Sequence, residues 1–161
     1  VGLIIACLLF MKRMAETTDV KAILDEIDPN DETDLKLENN EHLLIPKGVE
    51  VYEINGPYFF GAGNKFEEVM AAFGDRPKVR IIRMRKVPFV DSTGIHNLMN
   101  LCTISKNEGI QIVLSGVNPK VHAVLEHAGF NALIGSENIC PHINVALAKA
   151  KEIVDSMPVK E

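Results

Sequence analysis

Alternation between strand-length apolar runs and helix-length amphipathic segments is the feature that most restricts the fold of this chain. Val49 to Ile54, Lys78 to Arg85 and Ile110 to Leu114 are short apolar-rich runs, and a segment with apolar residues at helical spacing follows each of them. Strands that alternate with helices form crossover units in a parallel sheet. We therefore predict an α/β domain with a small mixed, mainly parallel β-sheet of four to five strands and four α-helices. Its first strand, at Leu43 to Ile45, is expected to be the antiparallel edge.

Residues typical of caps and stops mark the predicted helix ends. Asp91-Ser92-Thr93-Gly94 supplies capping residues before one helix, and Asn118-Pro119 places an N-cap and a first-turn proline before the next. Glycines at positions 74, 109 and 129 are expected to stop successive helices. A last helix should follow Pro141, and a short edge strand should begin at Ile134.

Negative charge is concentrated in one segment. Between Asp25 and Glu41 eight acidic residues accompany a single base, Lys36, so this stretch carries −7 while the whole chain of 161 residues carries −5. The remainder is therefore close to neutral, and the overall balance argues against nucleic acid as a partner, because phosphate backbones select clustered Lys and Arg. The composition of the acidic stretch is typical of a linker. We predict an acidic linker over residues 15–42.

The first residues form an uncharged apolar run, Val1 to Met11, that ends at Lys12-Arg13. Eleven residues are too few to cross a bilayer, which takes about 20, and a secretory signal would carry its basic residues before the run. We interpret residues 1–14 as the end of a membrane helix, followed by the linker, a folded domain at 43–157 and a tail at 158–161. Basic residues directly after a span favour the cytoplasmic side. The alternative is a buried amphipathic N-terminal helix.

Motifs that mark common enzyme sites are missing from the sequence. It contains no GxxxxGK[ST], no GxGxxG after a strand and no GxSxG. The three cysteines and five histidines show no spacing typical of metal ligands. We expect neither catalytic activity nor a bound metal ion or cofactor.

Six basic residues lie in and around the predicted central strand: Arg76, Lys78, Arg80, Arg83, Arg85 and Lys86. Most of them are expected to be solvated at the strand ends. The alternative is that they meet an acidic partner, which could be the acidic linker, another protein or a nucleotide phosphate.

The segment Asp91-Ser92-Thr93-Gly94 joins a predicted strand to a predicted helix. Free backbone N–H groups and the helix dipole favour negative charge at such a junction. A phosphate on Ser92 would therefore be tolerated there, and it would change the local surface by nearly two charges. The alternative is that these residues are only an N-cap.

Four segments together resemble the STAS domain (sulfate transporter and anti-sigma factor antagonist), in the form that ends SulP anion transporters. Leu9 to Met14 is similar to the end of the last SulP membrane helix, and Val51 to Phe60 is similar to the first strand with its loop. Val90 to Gly94 is similar to the phosphoacceptor loop, and Asn118 to Phe130 is similar to the third helix with its exit. Their order and spacing extend the resemblance over essentially the whole chain.

The resemblance implies a STAS-type fold and a membrane domain that moves sulfate, bicarbonate, dicarboxylates or related anions as a secondary active transporter, commonly as a homodimer. This chain would then be a regulatory or interaction domain on the cytoplasmic side of the inner (plasma) membrane, modulating transport or trafficking through partner binding. Its own transmembrane domain is the expected partner, with the membrane contacted through the N-terminal helix. Acyl carrier protein and a nucleotide are further candidates.

The resemblance also implies two functional loops. Soluble STAS proteins are phosphorylated on a matching serine to switch partners, so Asp91, Ser92, Thr93 and Gly94 form the expected regulatory loop, with Thr93 as the fallback acceptor. Pro57, Tyr58, Phe59 and Phe60 form the expected partner-binding loop. The alternative function is a free-standing anti-sigma factor antagonist that acts by partner switching through serine phosphorylation. The apolar run at Val1 to Met11 favours the transporter, because a soluble antagonist has no use for it.

Overall fold

The structure, a computed structural model, describes residues 1–23, 26–27, 43–58, 62–71 and 76–158. In chain order its elements are α1 (Gly2–Thr17), β1 (Asp19–Ile23), β2 (Glu26–Ile27), β3 (Leu43–Leu44), β4 (Val49–Asn55), α2 (Ala62–Ala71), β5 (Val79–Lys86), α3 (Ser92–Asn107), β6 (Gln111–Ser115), α4 (Pro119–His127), α5 (Phe130–Ile134), β7 (Ile139–Cys140) and α6 (Ile143–Ser156). A 3-10 turn at Ser136–Asn138 precedes β7.

Five strands form one sheet in the order β1-β4-β5-β6-β7. The last four are parallel to one another, and β1 is antiparallel to β4. Helices connect the parallel strands, because a parallel neighbour can be reached only by a crossover. The predicted fold class, a mixed and mainly parallel α/β sheet, is confirmed.

Both faces of the sheet are covered. Neighbouring residues of β4 divide between the two cores, since successive strand side chains point to opposite faces: Tyr52 belongs to one and Val51 to the other. The first core includes Leu98 of α3, Leu125 of α4 and Phe130 of α5. The second core includes residues from the length of α6: Ile143, Ala146, Leu147 and Ala150.

The antiparallel edge differs from the prediction. Asp19–Ile23 form it, with Val20 opposite Ile54, whereas Leu43–Leu44 pair with Glu26–Ile27 in a separate two-stranded ladder. Val20 is buried against the first core, and the half-buried Ala22 packs against the same core. Core-facing residues at every second position are typical of a strand, but the acidic residues around this segment make the pattern hard to recognise in the sequence.

The predicted linker is therefore wrong for residues 19–23, which belong to the sheet. Thr18 alone separates α1 from β1, so the acidic stretch follows the first strand and does not set the distance between α1 and the domain. Most of that stretch, residues 28–42, lies outside the described residues, as does the helix stop predicted at Gly74.

The edge strand expected at Ile134 is also absent. Phe130–Ile134 form helix α5, and the edge strand lies at Ile139–Cys140. Gly129, with φ of 82°, lets the chain turn out of α4 and begin the new helix. Phe130 and Ile134 are both buried and four residues apart, and the Asn138 side-chain amide donates to the Ile134 carbonyl. Helical spacing thus prevails over β-propensity in this segment.

Helix α1 exposes its large apolar residues from Leu3 to Met11, which retain between 51% (Ile5) and 79% (Leu3) of their surface. This exposure excludes the alternative of an N-terminal helix buried against the domain. Across the ranges that the structure describes, no helix combines the length and apolar character needed to traverse a bilayer.

Candidate functional site

The N-terminus of α3 is capped by Asp91 rather than by Ser92. The Asp91 carboxylate accepts a 2.7 Å hydrogen bond from the Gly94 N–H, and its backbone carbonyl accepts from the Ile95 N–H at 2.9 Å. Ser92 is the first helical residue and is exposed, while Thr93 is half-buried. Ser92 is therefore not the cap. Its side chain is exposed, and among the described residues its hydroxyl has no hydrogen-bond partner.

Gly94 fixes the position of this first turn. A Cβ at position 94 would lie 2.3 Å from the backbone oxygen of Tyr58 and 2.9 Å from Cγ1 of Val90. Real Cβ atoms do not approach backbone oxygens so closely, so only glycine fits here. The α3 terminus is thus pressed directly against the segment that follows β4.

The two loops predicted from the sequence meet at this point. The Tyr58 N–H donates to the Phe89 carbonyl at 3.2 Å, and the Tyr58 carbonyl accepts from the Asp91 N–H at 3.3 Å. The side chain of Tyr58 lies in the first core, and burial, with a smaller contribution from the charge of Glu67, raises the pKa of its phenol to about 12. The Tyr58 ring therefore holds the loop in place and is not displayed to a partner. Pro57 is half-buried, and Phe59 and Phe60 lie outside the described residues.

The end of α1 contacts the same loop. Thr18 is fully buried, and its hydroxyl donates to the Pro57 carbonyl at 2.5 Å. Gly56 has φ of 95°, and a Cβ there would lie 3.3 Å from the Thr17 carbonyl oxygen. This junction was not predicted from the sequence, although Thr17-Thr18 follows the basic residues and threonine is favoured at turns rather than inside helices.

A third loop joins the group through Asn118, the N-cap of α4. Its side-chain oxygen accepts from the Val121 N–H at 2.9 Å, and its amide nitrogen donates to the Val87 carbonyl at 2.8 Å. One side chain thus ties α4 to the loop between β5 and α3. That loop exposes Pro88 and Phe89, and Phe89 retains 49% of its surface. The end of α1 and these loops therefore lie together at the carboxyl edge of the parallel strands.

A charged cluster lies near the same edge. Arg83 contacts Glu53 at 3.2 Å, and the Glu53 carboxylate also faces Lys86 at 3.3 Å and Arg85 at 3.9 Å. Arg83 and Glu53 are buried, which is unusual for charged groups unless they are paired. The expectation of solvated basic residues is wrong for Arg83.

The same expectation is wrong for Arg80. This residue is buried, donates to the Ser105 hydroxyl at 3.0 Å and stands 3.6 Å from Glu50. Tyr52 donates to the same Glu50 carboxylate at 2.7 Å, and burial together with this bond raises the pKa of the Tyr52 phenol. Because both sheet faces are covered, polar residues of the central strand are buried as well.

Comparisons with known proteins agree with this architecture. A sequence profile of the STAS domain matches residues 42–146. A crystal structure of a sulfate transporter family protein from Wolinella succinogenes is 40% identical, with a TM-score of 0.67, and the match covers 71% of this chain and 93% of that one. A SulP transporter STAS domain from Vibrio cholerae is 34% identical, with a TM-score of 0.63 and coverage of 70% and 88%. This chain belongs to the STAS domain family.

Curated proteins provide one further relative, the candidate sulfate transporter YvdB of Bacillus subtilis. It is 27% identical over 142 residues, which cover 88% of this chain and 24% of YvdB. This chain thus spans about a quarter of that relative's length. At 16% identity and a TM-score of 0.56, an anti-sigma factor antagonist candidate from Thermotoga maritima shares the fold alone. Of the relatives named here, the two that are more than 30% identical to this chain are a sulfate transporter family protein and a SulP transporter STAS domain.

Proposed function

We propose that this chain is the cytosolic regulatory domain of a SulP secondary transporter for sulfate, bicarbonate, dicarboxylates or related anions. The observation that carries the proposal is the similarity to YvdB, which must extend upstream of residue 42 because it spans 142 of 161 residues. The 34% identity to a SulP transporter STAS domain supports the same assignment. The domain has no catalytic role in this proposal.

Helix α1 would then be the cytosolic end of the last transmembrane helix. Its exposed apolar side chains, followed by Lys12 and Arg13, are what a helix emerging on the cytoplasmic face of the inner membrane requires. A free-standing antagonist has no use for such an exposed apolar surface, so the transporter remains the favoured function.

Anion uptake tests the proposal. The full gene product would be reconstituted in proteoliposomes and assayed with labelled sulfate, bicarbonate and succinate. We expect uptake of one of these anions, and a changed rate when the chain is truncated before Asp19. Absence of uptake for the whole panel, with the protein present in the membrane, would contradict the transporter assignment.

Regulation would act through Ser92. Its exposed hydroxyl lies beside the Asp91 cap, and the loop is joined through Tyr58 and Pro57 to the end of α1, so a charge added there could influence the membrane domain. We expect Ser92→Asp to alter the uptake rate while Ser92→Ala leaves both uptake and stability close to those of the parent.

Thr103 provides the matched control, because it is exposed on the same helix and lies more than two turns from the loop. Thr103→Asp should leave uptake unchanged. If Ser92→Asp and Thr103→Asp behave alike at equal membrane abundance, position 92 has no special regulatory role.

Further partners in this proposal are a second copy of the transporter and an acidic ligand, for which acyl carrier protein and a nucleotide are candidates. A cleft of about 770 Å³ supports the acidic ligand, because three lysines, Lys47, Lys78 and Lys151, line it with a single acidic residue, Asp155. Calorimetric titration with each candidate, repeated with Lys78→Gln, would test it. Binding that Lys78→Gln does not weaken would exclude this cleft as its location.

A further inference from the structure

We infer that the carboxyl edge of the sheet faces the membrane, and that Phe89 and Pro88 contact an anionic lipid surface there. This inference rests on the proposed function, in which α1 is anchored in the bilayer. It adds the orientation of the domain and an interaction surface, defined by Pro88, Phe89 and the basic pair Lys12-Arg13, which we call the edge surface.

Helix α1 is attached to the sheet at its carboxyl edge. Strand β1 begins at the carboxyl edge, where Asp19 is opposite Asn55, the last residue of β4. Thr18 is the only residue between α1 and that strand, and its bond to Pro57 fixes the helix end at this edge. The amino ends of β4 and β5, with Lys47 and Lys78 just before them, lie at the opposite end of the sheet, about 25 Å away for strands of seven to eight residues.

The length of α1 beyond its apolar run sets the distance from this edge to the bilayer. Six helical residues, from Lys12 to Thr17, separate the end of the apolar run from Thr18. At 1.5 Å per residue they span about 9 Å. The headgroup region extends about 5–8 Å beyond the hydrocarbon core on each side. In the proposed arrangement, in which the apolar run ends at the hydrocarbon boundary, the carboxyl edge stands at the outer limit of the headgroups, where exposed side chains of this edge can contact them.

The edge surface contains both apolar and basic residues. Phe89 and Pro88 are exposed apolar residues in a loop that is held by backbone and side-chain hydrogen bonds to Tyr58 and Asn118. Aromatic rings favour the membrane interface, and basic residues close to a span attract anionic lipid headgroups. Clefts of about 770 and 410 Å³ lie instead near the first residues of β5, at the other end of the sheet. Exposed apolar residues at the edge where the membrane helix ends fit a lipid surface better than they fit a protein ligand that occupies a cleft.

The orientation has a consequence for Ser92, which is exposed and lies three residues after Phe89. A phosphate on Ser92 would approach anionic headgroups and be repelled by them. Modification would thus tend to lift the edge surface from the membrane, which gives the proposed regulation a physical route.

Tryptophan fluorescence tests the inference directly, because the chain contains no Trp. Three single-Trp variants of the full chain would be mixed with vesicles of phosphatidylglycerol and phosphatidylcholine that carry bromine at defined acyl depths. Phe10→Trp reports on α1, Phe89→Trp on the edge surface, and Leu44→Trp, at a residue that is 71% exposed, on the opposite end of the sheet. Pro88→Trp is a second reporter of the edge surface in case Phe89→Trp misfolds.

We expect deep quenching of Phe10→Trp, shallow quenching and a blue shift for Phe89→Trp, and no quenching of Leu44→Trp. The Phe89→Trp signal should weaken in vesicles of phosphatidylcholine alone. Quenching of Phe10→Trp without Phe89→Trp or Pro88→Trp would overturn the inference and leave the proposed function standing. Quenching of Leu44→Trp in place of Phe89→Trp, or equally with it, would also overturn the orientation. If Phe10→Trp is not quenched, α1 does not anchor the domain to the vesicle and the orientation is overturned, while anion uptake by the full gene product tests the proposed function separately.

Discussion

Gly94, in the first turn of α3, lies directly against the backbone carbonyl of Tyr58, at a separation that would leave a Cβ only 2.3 Å from that oxygen. The contact joins the two loops that the sequence marks as functional. Because of this contact, the Tyr58 backbone and the Gly94 turn cannot shift independently of each other. The contact therefore fixes the N-terminus of α3, which carries the exposed Ser92.

Substitution of this glycine should be severely destabilising. The atom that a Cβ would strike belongs to the main chain, so it cannot move aside as a flexible side chain would. We expect Gly94→Ala to lower the free energy of unfolding by about 1–3 kcal/mol or more, which is the usual cost of overpacking. Gly2→Ala is the control, because no heavy atom lies within 4 Å of the added Cβ. Urea unfolding of both variants measures the difference, and equal midpoints would show that the contact is not tight.

The cap assignment gives a second prediction. Because the Asp91 carboxylate, and not the Ser92 hydroxyl, accepts from the Gly94 N–H, Asp91→Ala should cost about 1 kcal/mol of stability. Ser92→Ala should stay within about 0.5 kcal/mol, as most surface substitutions do. Asp91→Asn should retain most of the stability, because asparagine is also a good cap. A larger loss for Ser92→Ala than for Asp91→Ala in thermal unfolding would reverse the assignment.

A third prediction concerns the buried carboxylate of Glu53. Its removal takes away the group that faces Arg83, which retains 2% of its side-chain exposure, and breaking a buried pair costs about 3–5 kcal/mol. We therefore expect Glu53→Ala to unfold at much lower denaturant concentration than the parent. Glu152→Ala is matched as a control, because its ion pair with Lys149 is at the surface and should contribute less than about 1 kcal/mol. Similar losses for both variants would mean that burial adds nothing to the Glu53 pair.

The position of β1 leads to a fourth prediction, about the domain boundary. A chain trimmed to residues 43–157 loses β1, together with the buried Val20 and Thr18, and leaves β4 as an unpaired edge. Burial of a valine alone contributes about 1.5–3 kcal/mol. We propose a boundary at Thr18, and expect residues 18–158 to be more stable and less prone to association than 43–157 in unfolding and light-scattering experiments. Equal stability and equal association of the two fragments would instead support a domain boundary at Leu43.

Local signals explain which parts of the fold could be predicted from the sequence. Asn118-Pro119 and Gly129 act through their own backbone geometry, and the helix between them is where those residues place it. The parallel order of the strands followed from the alternation of periods, because a crossover helix admits few other arrangements. These are short-range rules, and the structure confirms them.

Long-range contacts explain what the sequence could not show. Asp19–Ile23 is too short and too acidic in its surroundings to be recognised as a strand until β4 is present to pair with it. The burial of Arg83 depends on Glu53, which is 30 residues distant along the chain. The choice of Asp91 over Ser92 as the cap, and the meeting of Tyr58 with Gly94, likewise depend on geometry that only the folded sheet creates.

Four buried groups, Tyr52, Tyr58, Cys102 and Cys140, have a raised pKa and so make stability depend on pH in the alkaline range. Burial raises the pKa of the Cys102 thiol from 9.0 to about 12, and burial with the nearby Glu67 charge raises the pKa of the Tyr58 phenol from 10.0 to about 12. Both groups are neutral at pH 7 in the folded and the unfolded chain. Above pH 9 the unfolded chain releases these protons while the folded chain retains them, so the unfolded state binds fewer protons and stability falls as the pH rises.

We therefore expect the free energy of unfolding to be insensitive to these groups below about pH 9, and to fall between pH 9 and 12 by up to about 1.4 kcal/mol per pH unit for each group. Cys102→Ala removes one of them, so the decline should become shallower, even though the lost sulfur lowers stability at every pH. The slope, and not the absolute stability, is thus the quantity to compare. Cys7→Ala is the control, because Cys7 is exposed on α1 and its removal should leave the slope unchanged. Urea midpoints measured from pH 7.5 to 11 would provide both slopes, and identical declines for Cys102→Ala and the parent would show that the Cys102 thiol is not protected from ionisation by the fold.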